Sequence, residues 1–222
     1  MEETGEQLFE RLCTRFGLGH TRISEAAKAG EQRPDYRVIG TDGSEFVAEV
    51  KLVTPTSEEA RDIERIHRGE IFVTGATPGE RLRRLIGKAN QQLKALAEKS
   101  PGILFVFNPE FLLRRHTEPY AVLTAMRGLD VVDVQVPRDP RLSPQFGSLR
   151  SGPGKKMTED ANTSTSAVVC PVETRDGEWH VDVYHNRFAA RQLCVSALQG
   201  ETLKHWEIAD NERDWAQITG AV

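Results

Sequence analysis

The sequence predicts an α/β fold, with a mixed central sheet flanked by helices, on three observations. Arg33–Val53 (RPDYRVIGTDGSEFVAEVKLV) reads as a β-hairpin with one apolar and one charged face. Pro78–Lys99 carries a broad apolar stripe at helical spacing. Gly102–Asn108 is a short, continuously apolar run bounded by prolines, the signature of a buried central strand. All 222 residues are expected to form one domain with embellishments.

In the hairpin, Thr41-Asp42-Gly43 supplies a three-residue turn with glycine in the left-handed position. That turn pairs Gly40 with Ser44 and sets Asp35 opposite Glu49. Side chains alternate along a strand, so Asp35, Glu49 and Lys51 share one face, while Phe46, Ala48, Val50 and Leu52 fill the other. A two-residue turn at Asp42-Gly43 would instead place Asp35 on the apolar face.

Upstream, Thr4-Gly5-Glu6-Gln7 fits a capping box that opens a helix. Leu8, Leu12 and Phe16 follow at helical spacing, and Gly17 and Gly19 close the element. Glu6 and Glu10 lie on one flank of that helix. A short strand fits around Thr21–Ser24. Downstream of the hairpin, Ser57 opens a charged helical stretch to about Arg68, and Ile71–Thr74 is a short strand or a connecting turn.

On the helix over 78–99, Leu82, Leu85, Ile86, Ala89, Leu93 and Leu96 make the stripe. Arg81, Arg83, Arg84, Lys88 and Lys94 make the rest basic, a surface suited to a phosphate backbone. Gln92 lies at the stripe's edge. Phe111–Arg127 reads as helix broken at Thr117–Pro119, and Val131–Val136 as a weakly alternating strand. Pro137–Ser166, rich in Pro, Ser, Gly and Thr, reads as a long mobile loop. Its Ser151-Gly-Pro-Gly-Lys155 lacks the spacing of a phosphate loop. Ala167–Val172 and Trp179–Tyr184 form a second hairpin through Arg175-Asp176-Gly177, and Asn186 is placed to cap a helix over 187–193. His180 and His185 fall on opposite faces of their strand, which does not suit a metal pair. Trp206 and Trp215 are expected to pack across the sheet.

Composition narrows the function classes. No apolar run approaches membrane-spanning length, and the acidic start (MEETGEQLFE) fits neither a secretory signal nor a transit peptide. Cys13, Cys170 and Cys194 form no C-x-x-C pair, so a reducing, cytoplasmic location is expected. A net charge of −4 argues against a broadly basic nucleic-acid coat but leaves room for a local groove.

Helix, hairpin with Pro34-Asp35 and then Glu49-Val50-Lys51, basic helix and buried strand together resemble the PD-(D/E)xK nuclease superfamily, whose restriction-endonuclease-like core is αβββαβ. The resemblance covers residues 4–108 and leaves the C-terminal β-hairpin and helix as decoration. It implies that Asp35 and Glu49 bind the metal, with the backbone carbonyl of Val50, and that Lys51 is the catalytic lysine. Phe9-Glu10 is similar to a Phe-Glu pair on the first helix of some members, which favours Glu10 over Glu6 as an assisting acid. Gln92, with Gln91 as the alternative, would match a glutamine on the later helix. The implied activity is Mg²⁺-dependent phosphodiester hydrolysis of nucleic acid, with Mn²⁺ able to substitute, by an endonuclease acting on DNA held along the basic helix. Cutting both strands together would call for a homodimer. Two other readings compete: a catalytically idle nucleic-acid-binding or scaffold module, and a solvated sheet face with an Asp35–Lys51 ion pair.

Overall fold

The computed structural model describes residues 3–23, 32–71, 75, 77–211 and 213–219. The chain runs through α1 (Gly5–Phe16), β1 (Gly19–Arg22), β2 (Tyr36–Ile39), β3 (Glu45–Leu52), α2 (Ser57–His67), α3 (Glu80–Leu93) and β4 (Gly102–Phe107). A 3₁₀ turn at Phe111–His116 leads into α4 (Pro119–Arg127), followed by β5 (Asp130–Gln135), β6 (Gln145–Ser151), β7 (Ala167–Glu173) and β8 (Trp179–His185). A second 3₁₀ turn (Val195–Ala197), β9 (Leu203–Ile208) and β10 (Trp215–Gln217) complete it.

Among the described residues the main sheet has eight strands in the order β1-β2-β3-β4-β7-β8-β9-β10. β3, β4 and β7 are mutually parallel, as are β8 and β9, so the sheet is mixed. Two apolar layers sandwich it. On one face α1 sends Leu8, Phe9, Leu12 and Cys13 against Tyr36, Ala48, Val50 and Phe105. On the other, α3 and α4 send Leu82, Ile86, Leu93, Val122 and Met126 against Val47, Leu104 and Val106. No helix among the described residues is long and apolar enough to cross a membrane.

Local signals behave as their chemistry predicts. Thr4 and Gln7 cap α1 reciprocally, and Gly17 closes it with φ +67°. Thr56 and Glu59 repeat the capping box at α2. Helix α3 is shorter than the stripe suggests. It starts at Glu80, after Gly79 in a left-handed conformation (φ +70°), and the chain continues past Leu93 as turns, Leu96 N–H bonding Leu93 O. A side chain at Gly79 would meet the α4 backbone, with Ala121 O at 2.6 Å. Thr21 and Arg22 lie in β1, whereas Ser24 and residues 72–74 fall outside the described residues.

Two expectations are corrected. Residues 187–193 form no helix, because their backbone groups bond elsewhere. Ala190 N–H donates to Thr163 O, Arg191 O accepts from Ser166 Oγ, and Asn186 Oδ1 accepts Phe188 N–H in a local turn. Likewise, Pro137–Ser166 is not all loop. β6 pairs with β5 as a separate two-stranded ribbon, Met157 is buried, and Ser166 is pinned to Gly102 and Arg191.

Candidate active site

The β2–β3 register follows from its turn. Tyr36 faces Ala48, Val38 faces Phe46, and Ile39 faces Glu45. Beyond Ile39, Gly40 N–H bonds Ser44 O at 2.8 Å, and Gly43 takes φ +82°. One step before Tyr36 the same register sets Asp35 opposite Glu49.

Strand β2 ends there, and the backbone of Val50 loses its ladder partner. The Asp35 side chain replaces it: Oδ2 accepts the Val50 N–H at 2.8 Å. N–H and C=O of one strand residue point to the same side. The Val50 carbonyl therefore also faces the segment that carries Asp35.

Glu49 is fully buried, alternating in direction with Ala48 and Val50 and so lying on the α3 side of the sheet. Its Oε1 accepts from the ammonium of Lys51, two residues along and about one-quarter exposed. Its Oε2 is buried without a partner among the described residues. Burial pushes the Glu49 carboxyl up to about 7; the Lys51 contact opposes the rise and the neighbouring Asp35 carboxylate adds to it. The observed ion pair is thus Glu49–Lys51, not Asp35–Lys51.

No hydrogen bond or ion pair among the described residues joins the other predicted members to this trio. Glu10 is held on the α1 face, where its Oε1 accepts from the Tyr36 hydroxyl at 2.8 Å. Glu6 sits 3.8 Å from Arg22. Gln92 is half-buried on α3 and makes no hydrogen bond among the described residues, and Gln91 is exposed. The basic charge of α3 is partly neutralised within the fold. Arg81 pairs with Glu59 and Arg84 with Glu80, whereas Lys88 and Lys94 have no acidic partner among the described residues.

Among the described residues no three His, Cys, Asp or Glu side chains converge as a metal cluster. The donor set at Asp35 and Glu49 still fits a hard divalent cation. Mg²⁺ is commonly bound through one or two carboxylates and retains several waters. A cation there would satisfy the orphaned Oε2 and offset the repulsion between the two acids.

Sequence reasoning missed a second buried polar cluster. His185 Nε2 and His205 Nδ1 lie 2.7 Å apart, and His205 Nε2 donates to Leu198 O at 2.7 Å. Burial holds His185 down at about 4 and also lowers His205. No spacing rule reveals this pair, because β8 and β9 are joined by a long excursion. No protein family, curated protein or solved structure matches the chain.

Proposed function

We propose that the protein is a metal-dependent nuclease that hydrolyses phosphodiester bonds, with DNA as its substrate. One observation carries the reading: the turn-determined register places Asp35 and Glu49 side by side, with Lys51 on the same face and an apolar row behind. The order helix, three strands, helices and parallel strand over residues 5–107 is consistent with a restriction-endonuclease-like αβββαβ core.

Asp35, Glu49 and the Val50 carbonyl would hold Mg²⁺ or Mn²⁺, which supplies Lewis acidity and a water of lowered pKa. The protein's own groups do the remainder. Asp35 is oriented by the Val50 N–H, which its Oδ2 accepts. Burial of Glu49 excludes water and strengthens every charge interaction at the site. Lys51 keeps its ammonium at the mouth of the pair, where it can stabilise negative charge developing on a phosphate. Its contact with Glu49 Oε1 already engages that ammonium, which suits an electrostatic role better than that of a base. Lys88 and Lys94 offer the exposed cations for backbone contact.

The closed Glu49–Lys51 contact favours one alternative, a nucleic-acid-binding module that keeps the fold without cutting. Plasmid and single-stranded DNA cleavage with Mg²⁺ or Mn²⁺, with EDTA, and with Lys51→Ala separates the two. Metal-dependent cutting that is lost in the variant supports the nuclease. Absence of cutting with either metal, with DNA bound equally by both proteins, supports the module.

A further inference from the structure

The β5–β6 ribbon is amphipathic, and its apolar face lies in solvent. Directly opposed residues of two strands share a face, and the register opposes Val134 to Phe146 and Val132 to Leu149. Alternation along β5 adds Val136 to the same face. The reverse face carries Asp133, ion-paired to Arg150, and the opposed pair Gln135 and Gln145. This is the pattern of an antiparallel sheet with one face covered. Yet Val132, Val134, Val136 and Phe146 are between 40% and 75% exposed. The ribbon is a sheet of two strands only, anchored at one end, where Arg127 bonds Asp130 and Ser151 Oγ and Arg213 bonds Leu149 O. Two strands on their own are marginal in water and are stabilised when another layer covers their apolar face.

The chemistry of the ribbon selects that layer. Residues 130–151 hold three acids and three arginines, and every acid is ion-paired: Asp130 to Arg127, Asp133 to Arg150 and Asp139 to Arg141. A surface balanced in this way draws neither a phosphate backbone nor a charged peptide. The same stretch contains no Lys, Trp or Tyr, the residues that anchor a surface among lipid headgroups. A second copy of the face is uncharged at its centre and fits in size. With Leu142 at the tip, its exposed apolar side chains offer roughly 500 Å². A dimer of standard size hides about 800 Å² on each partner, about 65% of it apolar, which is the same amount. Twofold association requires a face complementary to itself, and an apolar β-face with its charges on the reverse side meets that requirement.

We infer that two copies of the chain associate through this face, the two ribbons packing as the layers of a four-stranded sandwich about a twofold axis, with Val134 and Phe146 at its centre. The inference needs neither the acidic pair nor a metal.

Sedimentation equilibrium of the full chain from about 1 to 200 µM is the test, a range set by the weak end of affinities for an interface of this size. The mass is expected to rise from that of one chain towards that of two. Phe146→Glu and Val136→Asp, both at exposed positions, should each raise the dissociation constant at least about tenfold, as for an interface anchor. Phe111→Glu, at an equally exposed aromatic outside the ribbon, should dimerise as the wild type does. A comparison that needs no variant is amide hydrogen exchange of the wild type at both ends of the range, which should slow across β5 and β6 at the higher concentration. The mass of a single chain throughout overturns the inference; loss of phosphatidylcholine-vesicle or DNA binding by that monomer in Phe146→Glu would then give the face to lipid or nucleic acid. A dimer that both ribbon variants leave intact, one that Phe111→Glu breaks equally, or ribbon exchange that ignores concentration also overturns it.

Discussion

The Tyr36 hydroxyl donates to Glu10 at 2.8 Å, and this bond holds the acid of the first helix on the sheet face opposite Glu49. Glu10 is therefore engaged by the core tyrosine. Glu10→Gln should leave metal-dependent cleavage within about threefold of wild type, as for a group that touches no reacting atom, whereas Lys51→Ala should lose at least about a hundredfold. The same Glu10→Gln change, and Tyr36→Phe, should each cost about 1 kcal/mol in urea unfolding. A collapse of cleavage in Glu10→Gln at unchanged stability would place Glu10 in the machinery after all.

Glu49 titrates at about 7, above its ordinary value of 4.5, because the folded state resists its charge. The protonated carboxyl is thus favoured by folding below pH 4.5, and that advantage disappears as pH rises through 7. Glu49→Gln, which removes the charge, should stabilise the protein above pH 7 by the order of 2 kcal/mol and change little near pH 4. Melting temperatures of both proteins from pH 4 to 9 check this. Parallel curves would show that Glu49 is ionised at no net cost.

For the histidine pair the sign is reversed. His185 is held at about 4 and His205 is also lowered, so their neutral forms stabilise the fold above the ordinary histidine value. That stability should drain away as pH falls from about 6.5 towards 4, with the two rings titrating as a coupled unit. His185→Gln keeps a donor for His205 and should flatten this acid limb by about half, as one of two titrating groups is removed. Chemical denaturation at half-unit pH steps reads the slope.

Gly40 lies against the segment that follows Cys194. A side chain there would meet Ala197 O at 2.5 Å and Ala197 Cα at 3.0 Å, both backbone atoms that cannot turn aside. The same contact carries bonds from Thr41, whose N–H and Oγ1 donate to Ala197 O and Ser196 O. Gly40→Ala should cost about 1–3 kcal/mol, as overpacking of tight sites does. Amide exchange should quicken at Thr41 and across 194–198 ahead of the rest.

What the sequence made legible was local chemistry. The capping boxes, the glycine turn, the Asp35–Glu49 register and the alternation of Phe46, Ala48 and Val50 each depend on residues within one turn or one hairpin. Arg175-Asp176-Gly177 works in the same way: Gly177 takes φ +83° and Thr174 N–H bonds Glu178 O. What stayed hidden was decided across distance. β6 owes its place to pairing with β5, the segment 187–193 gives its backbone bonds to residues 163–166, and the His185–His205 contact needs β9 beside β8. The side of the sheet on which Glu10 lies was equally out of reach, because a helix's position over a sheet is a matter of packing, not of spacing.

The placement of β7 between β4 and β8 has a temporal consequence. Strand β4 is buried throughout, yet one of its two neighbours is synthesised some sixty residues later, across α4 and the β5–β6 ribbon. A chain emerging from the ribosome therefore holds its most apolar strand half-paired until Ala167–Val169 arrive. Non-local pairing of this kind slows folding, and an uncovered edge invites other chains. A fragment ending near Asn108 would contain Asp35, Glu49 and Lys51 and still present that open edge, which the half of the protein beyond it closes through β7.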